Sequence, residues 1–243
     1  MVMAILTGWA VAQVSICAKA GLITFSQGET YLEGRPVTMT PGQWPRMRPA
    51  ETVRTAPGGH VEAMLGPCVV LHVDESSAVR MISTRLTDVQ VGLESGSAVA
   101  QADGSLRDVR ITMWVGGRPV LLAARGTYRF DASPARVKVF AGKAMVDGVA
   151  VGAGRMAVLD PGAVAAVEKF DAGERGALEV WSEVRLDALA KASGLSNERA
   201  RQITQDAADV QAWAAAAKAA PSPASLGRVG GLVTDRSRIC AEW

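Results

Sequence analysis

His60 and His72 are the only imidazoles in the chain, and each lies in a run where apolar residues recur at every second position. On neighbouring strands two such side chains could share a metal ion. No Cys or carboxylate stands at a ligand-like spacing from either, so both read as ordinary strand residues and no metal site is expected. A serine or cysteine nucleophile would need one of them as its base. Ser76 and Ser77 follow His72 closely, but within Asp74-Glu75-Ser76-Ser77, which is turn chemistry. HExxH, CxxC, GxSxG and the phosphate-loop pattern are all absent from the sequence. The Gly-rich pieces Pro57-Gly58-Gly59 and Gly116-Gly117 lead into strands, not into helix N-termini that hold phosphate, so no cofactor is implied. Glycosidase-type carboxylate pairs leave no short motif. The 24 acidic residues fall mostly in turns (Asp74, Glu75, Asp103, Asp147) or on helix surfaces. No catalytic, cofactor-binding or metal-binding residue is assigned. An envelope hydrolase with dispersed carboxylates stays as an alternative, to be recognised by two acids sharing a deep pocket.

The elements that carry these residues are strands. Alternation marks His60 to Leu65, Val69 to Val73, Val89 to Leu93, Ile111 to Val115, Val120 to Ala123, Thr127 to Asp131 and Val137 to Phe140. The breaks fall at Gly66-Pro67, Asp74 to Ser77, Ser95-Gly96, Asp103-Gly104, Gly116-Gly117 and Ala141-Gly142. The pattern predicts a mainly β domain of many short strands over residues 21–167, either a two-layer antiparallel sandwich or a solenoid-like stack. Two segments echo one another. Residues 28–42 and 142–154 both read as a strand, a turn at Glu33-Gly34 or Asp147-Gly148, and a return strand, and they are expected to form matching layers of one core.

The 243-residue chain is long enough for a substantial core. Its formal charge is only +2 and its basic residues are scattered, so no nucleic-acid partner is expected. Residues 1–20 run apolar from Ala4 to Ile16 and close on Ala18-Lys19-Ala20, which reads as a secretory signal peptide cut before Gly21. The run is too short for a membrane span, so no stable span is expected after cleavage. Cys17 follows Ile16 where a lipoprotein cysteine would follow a small residue, and is not read as a lipid anchor. Cleavage leaves Cys68 and Cys240, whose pairing the sequence leaves open.

After Phe170 the periodicity becomes helical. Leu178, Trp181, Arg185 and Leu189 fall on one face, with Gly194 as a stop; Ile203, Val210, Trp213 and Ala217 mark a second amphipathic helix ended by Pro221. A helical extension is predicted over 173–220, its Trp181 and Trp213 faces packing on the β domain, and a disordered tail over 221–243.

The stretch "VRTAPGGHVEAMLGPCVVLHVDESSAVRMIS" resembles the central signature of the FecR domain, with Glu75 to Met81 at its "xNSxxxL"-like element and Ser76 where Asn is common. "VGLESGSAVAQ", "RGTYRFDASPARVKVFAGKAMVDG" and the lead-in "EGRPVTMTPGQWPRMRPAETVRT" are similar to flanking parts of that family, although Ala50-Glu51 stands where Gly-Asp is usual. "KFDAGERGALEVWSEVRLDALAKAS" resembles the segment that follows the domain in exported single-domain members. Together the β motifs cover roughly residues 21 to 160. The resemblance implies the domain without the anti-sigma and membrane segments of the FecR regulators, and it supplies no catalytic residues. It implies an exported, non-catalytic binding or structural module, periplasmic or secreted. That module would contact envelope proteins of unknown identity, for structural contact or signal sensing, by adding a partner strand to an exposed sheet edge. The alternative is a binder of cell-wall glycan that uses Trp44 and Trp114 as stacking surfaces.

Overall fold

The computed structural model describes residues 20–40, 44–66, 69–102, 106, 109–159 and 166–192, with side chains of the last helix described as far as Leu186. The signal-like segment 1–19, Cys68, Cys240, the second helix and the tail lie outside them. So do the turns expected at Gly66-Pro67 (at Pro67) and at Asp103-Gly104. Seventeen strands and one helix are described, so the region supports one C-terminal helix where the sequence predicts two.

The chain alternates between two sheets, usually two strands at a time. It enters the first sheet with β1 (Leu22–Gln27), then crosses for β2 (Thr30–Leu32), β3 (Arg35–Pro36) and β4 (Thr52–Thr55). It returns for β5 (His60–Gly66) and β6 (Val69–Val73), and crosses again for β7 (Ala78–Arg85) and β8 (Asp88–Ser95). A single strand, β9 (Ser97–Ala102), lies in the first sheet before β10 (Ile111–Val115) and β11 (Arg118–Leu122) in the second. Then follow β12 (Gly126–Ala132) and β13 (Ala135–Ala141) in the first, and β14 (Lys143–Val146) and β15 (Val149–Gly152) in the second. The first sheet ends with β16 (Arg155–Val158) and β17 (Ala166–Lys169), and α1 (Ala177–Ala192) follows.

The first sheet has eight strands, ordered β1-β5-β6-β9-β12-β13-β16-β17; the second has nine, ordered β15-β14-β11-β10-β8-β7-β4-β2-β3. The fold is therefore mainly β and two-layered. It departs from a purely antiparallel sandwich at one place: β8 and β10 pair in parallel, Ile111 opposite Val89 and Val115 opposite Leu93. The excursion of β9 into the other sheet supplies the crossover that a parallel pair requires.

The core lies between the sheets. Leu71, Tyr128 and Phe130 point inward from one sheet, and Met81, Ile111 and Met113 from the other, all at zero exposure. Burying such a side chain fully contributes about 1.5–3 kcal/mol. Tyr128 adds a polar tie between the layers: its hydroxyl reaches the Ala124 carbonyl and accepts the Lys143 N–H at 3.1 Å. Burial pushes its phenol pKa up, against its hydrogen bonds with the Lys143 and Ala124 backbone.

The two echoing hairpins are both present, but not as matching layers. The β2–β3 and β14–β15 hairpins stand at opposite edges of the same nine-stranded sheet. Each turns on two residues of positive φ, Glu33 (51°) with Gly34 (72°) and Asp147 (48°) with Gly148 (81°), the geometry of a type I′ turn.

Candidate functional site

Residues 55–97 build a lock between the sheets. Thr55 Oγ1, at the end of β4, donates to the Asp74 carbonyl at 2.6 Å and accepts the Ser77 N–H at 2.9 Å. Ser77 Oγ donates to the Glu75 carbonyl at 2.9 Å and accepts the Ser97 N–H at 3.0 Å. Gly96, at φ 74°, approaches Ser77 so closely that a Cβ there would overlap its hydroxyl. Ser76 and Ser77 thus sit in a structural turn, with Ser77 committed to backbone groups.

The four sheet edges differ. On the eight-stranded sheet, the start of β1 is covered by residues 45–47: Ile23 donates to the Pro45 carbonyl at 2.9 Å and Met47 to the Gly21 carbonyl at 2.8 Å. The opposite edge, β17, carries Glu168 and Lys169, both exposed. On the nine-stranded sheet, β3 is two residues long and consists of Arg35 and Pro36. Short strands, charges and Pro are the devices that block edge pairing. The remaining edge, β15, reads Val149-Ala150-Val151-Gly152, with no charge and no Pro, and β14 is its only strand partner among the described residues.

A second feature lies on the outer face of the eight-stranded sheet, beneath α1. Leu178, Trp181, Ser182 and Arg185 of the helix turn toward the sheet, while Val180 and Val184 remain exposed. The sheet offers polar residues. Glu62 on β5 is 1% exposed and accepts the Thr24 hydroxyl at 2.7 Å. Its Oε2 lies 3.4 Å from Arg185 Nε and 3.8 Å from His72 Nδ1 on the adjacent β6. Trp181 stands edge-on to His72 (centroids 5.5 Å) and 4.7 Å from His60, and the Arg185 guanidinium covers Phe25 at 3.7 Å. Glu62 Oε2, both nitrogens of His72 and Gln101 Oε1 are buried without a hydrogen-bond partner among the described residues. Burial drives the His72 pKa below its ordinary value; Glu62 and Gln101 oppose the shift and Arg185 adds to it.

Next to it lies a second charge cluster. Arg129 Nη1 donates to Glu179 of α1 at 2.8 Å and its Nε to Asp131 at 2.8 Å; Asp131 also accepts from Arg136 Nε at 2.7 Å and Ser97 Oγ at 2.7 Å. Burial works to raise the Asp131 pKa, and these donors outweigh it, so the carboxyl titrates below its usual range. Glu179 also lies in the first turn of α1, where the helix dipole favours a negative charge.

The sequence places most carboxylates in turns or on helix surfaces; Glu62 and Asp131, in strand runs, and Glu179, in the helical run, are buried, at 1%, 4% and 1% exposure. Two-sided burial has one visible sign in the sequence. Val69-Val70-Leu71-His72-Val73 is nearly continuous in apolar residues, as a strand covered on both faces is. His60 pairs with Asp74 (Nε2 to Oδ1, 3.3 Å), and His72 faces Glu62, so the two imidazoles have different partners. No group of three or more potential metal ligands converges among the described residues. The facing His72 and Glu62 side chains are buried beneath α1, at 0% and 1% exposure. Trp44 precedes the segment that lines β1, and Trp114 lies in the other sheet with its Nε1 donating to Gln90 at 3.0 Å, so the two form no common platform. Among the described residues no helix is long and apolar enough to cross a membrane.

No family model and no curated protein matches the chain. Among solved structures, an anti-sigma factor candidate from Parabacteroides distasonis is similar over 50% of this chain and 60% of that one, at 16% identity. Its TM-score is 0.43, too low to carry argument, and the match spans less than two thirds of that chain's length.

Proposed function

We propose that this chain is an exported, non-catalytic FecR-like module that binds a partner protein of the cell envelope by accepting an extended segment alongside β15. The observation that carries this reading is the contrast among the edges: three are covered, charged or Pro-bearing, and β15 alone is uncharged and, among the described residues, has no strand on its outer side. Backbone N–H and C=O groups along an open edge supply affinity for an added strand, and alternate side chains supply selectivity. The signal-like segment before Gly21 and the FecR-like order of motifs support the compartment and the family.

The test is a photo-crosslinking residue at Ala150 in the native host, with mass spectrometry of the adduct and of the mature N-terminus. One recurrent envelope-protein adduct, on a chain beginning at Gly21, is the expected result. Introducing a charge with Ala150→Lys, while crosslinking from Lys143 on β14, is expected to abolish the adduct. An adduct that survives this change defeats edge docking, and an unprocessed cytoplasmic chain defeats the envelope assignment.

A further inference from the structure

The buried polar face beneath α1 has no part in edge docking, yet it holds an arrangement with two alternative pairings. Glu62 stands between a cation on the helix, Arg185 at 3.4 Å, and an imidazole on the neighbouring strand, His72 at 3.8 Å. Both His72 nitrogens lack hydrogen-bond partners among the described residues; Glu62 Oε2, at 3.8 Å, is the carboxylate that faces them, and the Gln101 side chain is a neutral neighbour. We propose that His72 is a proton-operated release for α1: when its imidazole is protonated, Glu62 changes partner from Arg185 to His72, and the helix leaves the sheet.

Every element packed on His72 contributes to the balance. Glu62 from β5 attracts the imidazolium, Arg185 from α1 repels it, and Gln101 from β9 lies beside it. Trp181 from α1 seals it from water. At the strand ends, His60 and Asp74 form their own pair, on which Trp181 also rests. Moving the helix therefore uncovers both imidazoles together. The chain before α1 allows the movement, because residues 170–176 include Gly173 and Gly176. The attachment at the N-terminal end, Arg129 with Glu179, does not involve His72. Release thus begins at the Arg185 end.

The sign follows from burial. The docked state holds His72 below its ordinary pKa of about 6.5, whereas a released, solvated imidazole returns toward that value. Docking is therefore fully favoured above about pH 6.5 and weakens as pH falls below it, because the released state binds more protons. The exposed product is a face whose buried members, Glu62, His72 and Gln101, become accessible in acid.

Hydrogen exchange of the full chain, corrected for the intrinsic pH dependence, tests this between pH 7.5 and 5. Protection of peptides from 177–192 is expected to fall by roughly tenfold, with β9 and β12 unchanged. His72→Gln is expected to remove the step and His60→Gln to keep it. Flat protection in α1, simultaneous loss in α1 and the strands, or a step that persists in His72→Gln would overturn the proposal. Should His72→Gln fail to fold, NMR titration of the wild-type imidazoles decides. His72 charging together with α1 opening supports the release; opening while His72 stays neutral, or charging without opening, refutes it.

Discussion

The β2–β3 and β14–β15 hairpins share a turn geometry and an edge position in one sheet, yet they end in opposite ways. One has Arg35-Pro36 as its edge strand, both exposed; the other has Val149-Ala150-Val151-Gly152, with Ala150 exposed and Val151 in the core. Their supports differ too. The β14–β15 hairpin is tied inward by Tyr128, whose hydroxyl accepts the Lys143 N–H, and by an ion pair between Arg118 and Asp147. The β2–β3 hairpin is held within its own sheet: Thr52, on the neighbouring β4, donates its N–H to the Glu33 carboxylate at 2.6 Å, and Glu33 donates its own N–H to the Thr52 carbonyl at 3.1 Å. A hairpin anchored to the opposite layer can leave its outer strand unprotected without fraying. The one without that anchor ends in residues that decline a partner. The contrast separates what shapes an edge from what that edge is used for.

Tyr128→Phe is the largest test of the anchoring difference. Losing the hydroxyl leaves Lys143 N–H without its acceptor, which is expected to destabilise the protein by about 1–3 kcal/mol in denaturant melts. Tyr31→Phe in the other hairpin removes only an exposed contact to Glu29 at 3.2 Å and is expected to leave the denaturant midpoint essentially unchanged. Equal losses would erase the distinction. Next in size, Arg35→Val with Pro36→Val should make β3 resemble β15, and sedimentation velocity should then show concentration-dependent association that the native chain lacks at that edge. A monomer at all concentrations would mean that strand length, not Pro and charge, blocks β3. Smallest is Asp147→Asn, which keeps the turn preference and removes the partly exposed pair with Arg118, for a loss of about 0–1 kcal/mol. A third region supplies a pH comparison. The Asp131 pKa is depressed, so its contribution is present above the ordinary carboxylate range and lost as pH falls through its lower, folded value. Asp131→Asn should flatten that acid limb of the stability curve.

Period-two alternation made the strands legible, because one face of each meets the core and the other does not. His60 to Leu65, Val69 to Val73 and Val137 to Phe140 all lie within strands. The turn at Asp147-Gly148 was legible for the same local reason, since both residues tolerate positive φ. Sheet assignment was not: whether two hairpins are layers or opposite edges depends on pairings between residues far apart in the chain. The α1-covered face was hidden for a related reason. Glu62 and His72 stand at outward positions where a polar residue normally meets water, and only the distant helix turns those positions into interior ones. Arg185 was placed on the apolar helix face, and its role there came from Glu62 on a strand more than a hundred residues earlier.

The repeated passage of the chain between the sheets has a consequence for how the protein is assembled. Because β9 leaves one layer and β10 returns beside β8, neither layer is a continuous piece of sequence. Neither can be excised as an autonomous folding unit, and each new pair of strands finds its place only against pairs already laid down in both layers. Growth resembles coursed masonry, with every course spanning both leaves of the wall. Strand order rises almost steadily through both layers, so each course meets chiefly the courses beside it, and structure should propagate along the stack from one course to the next.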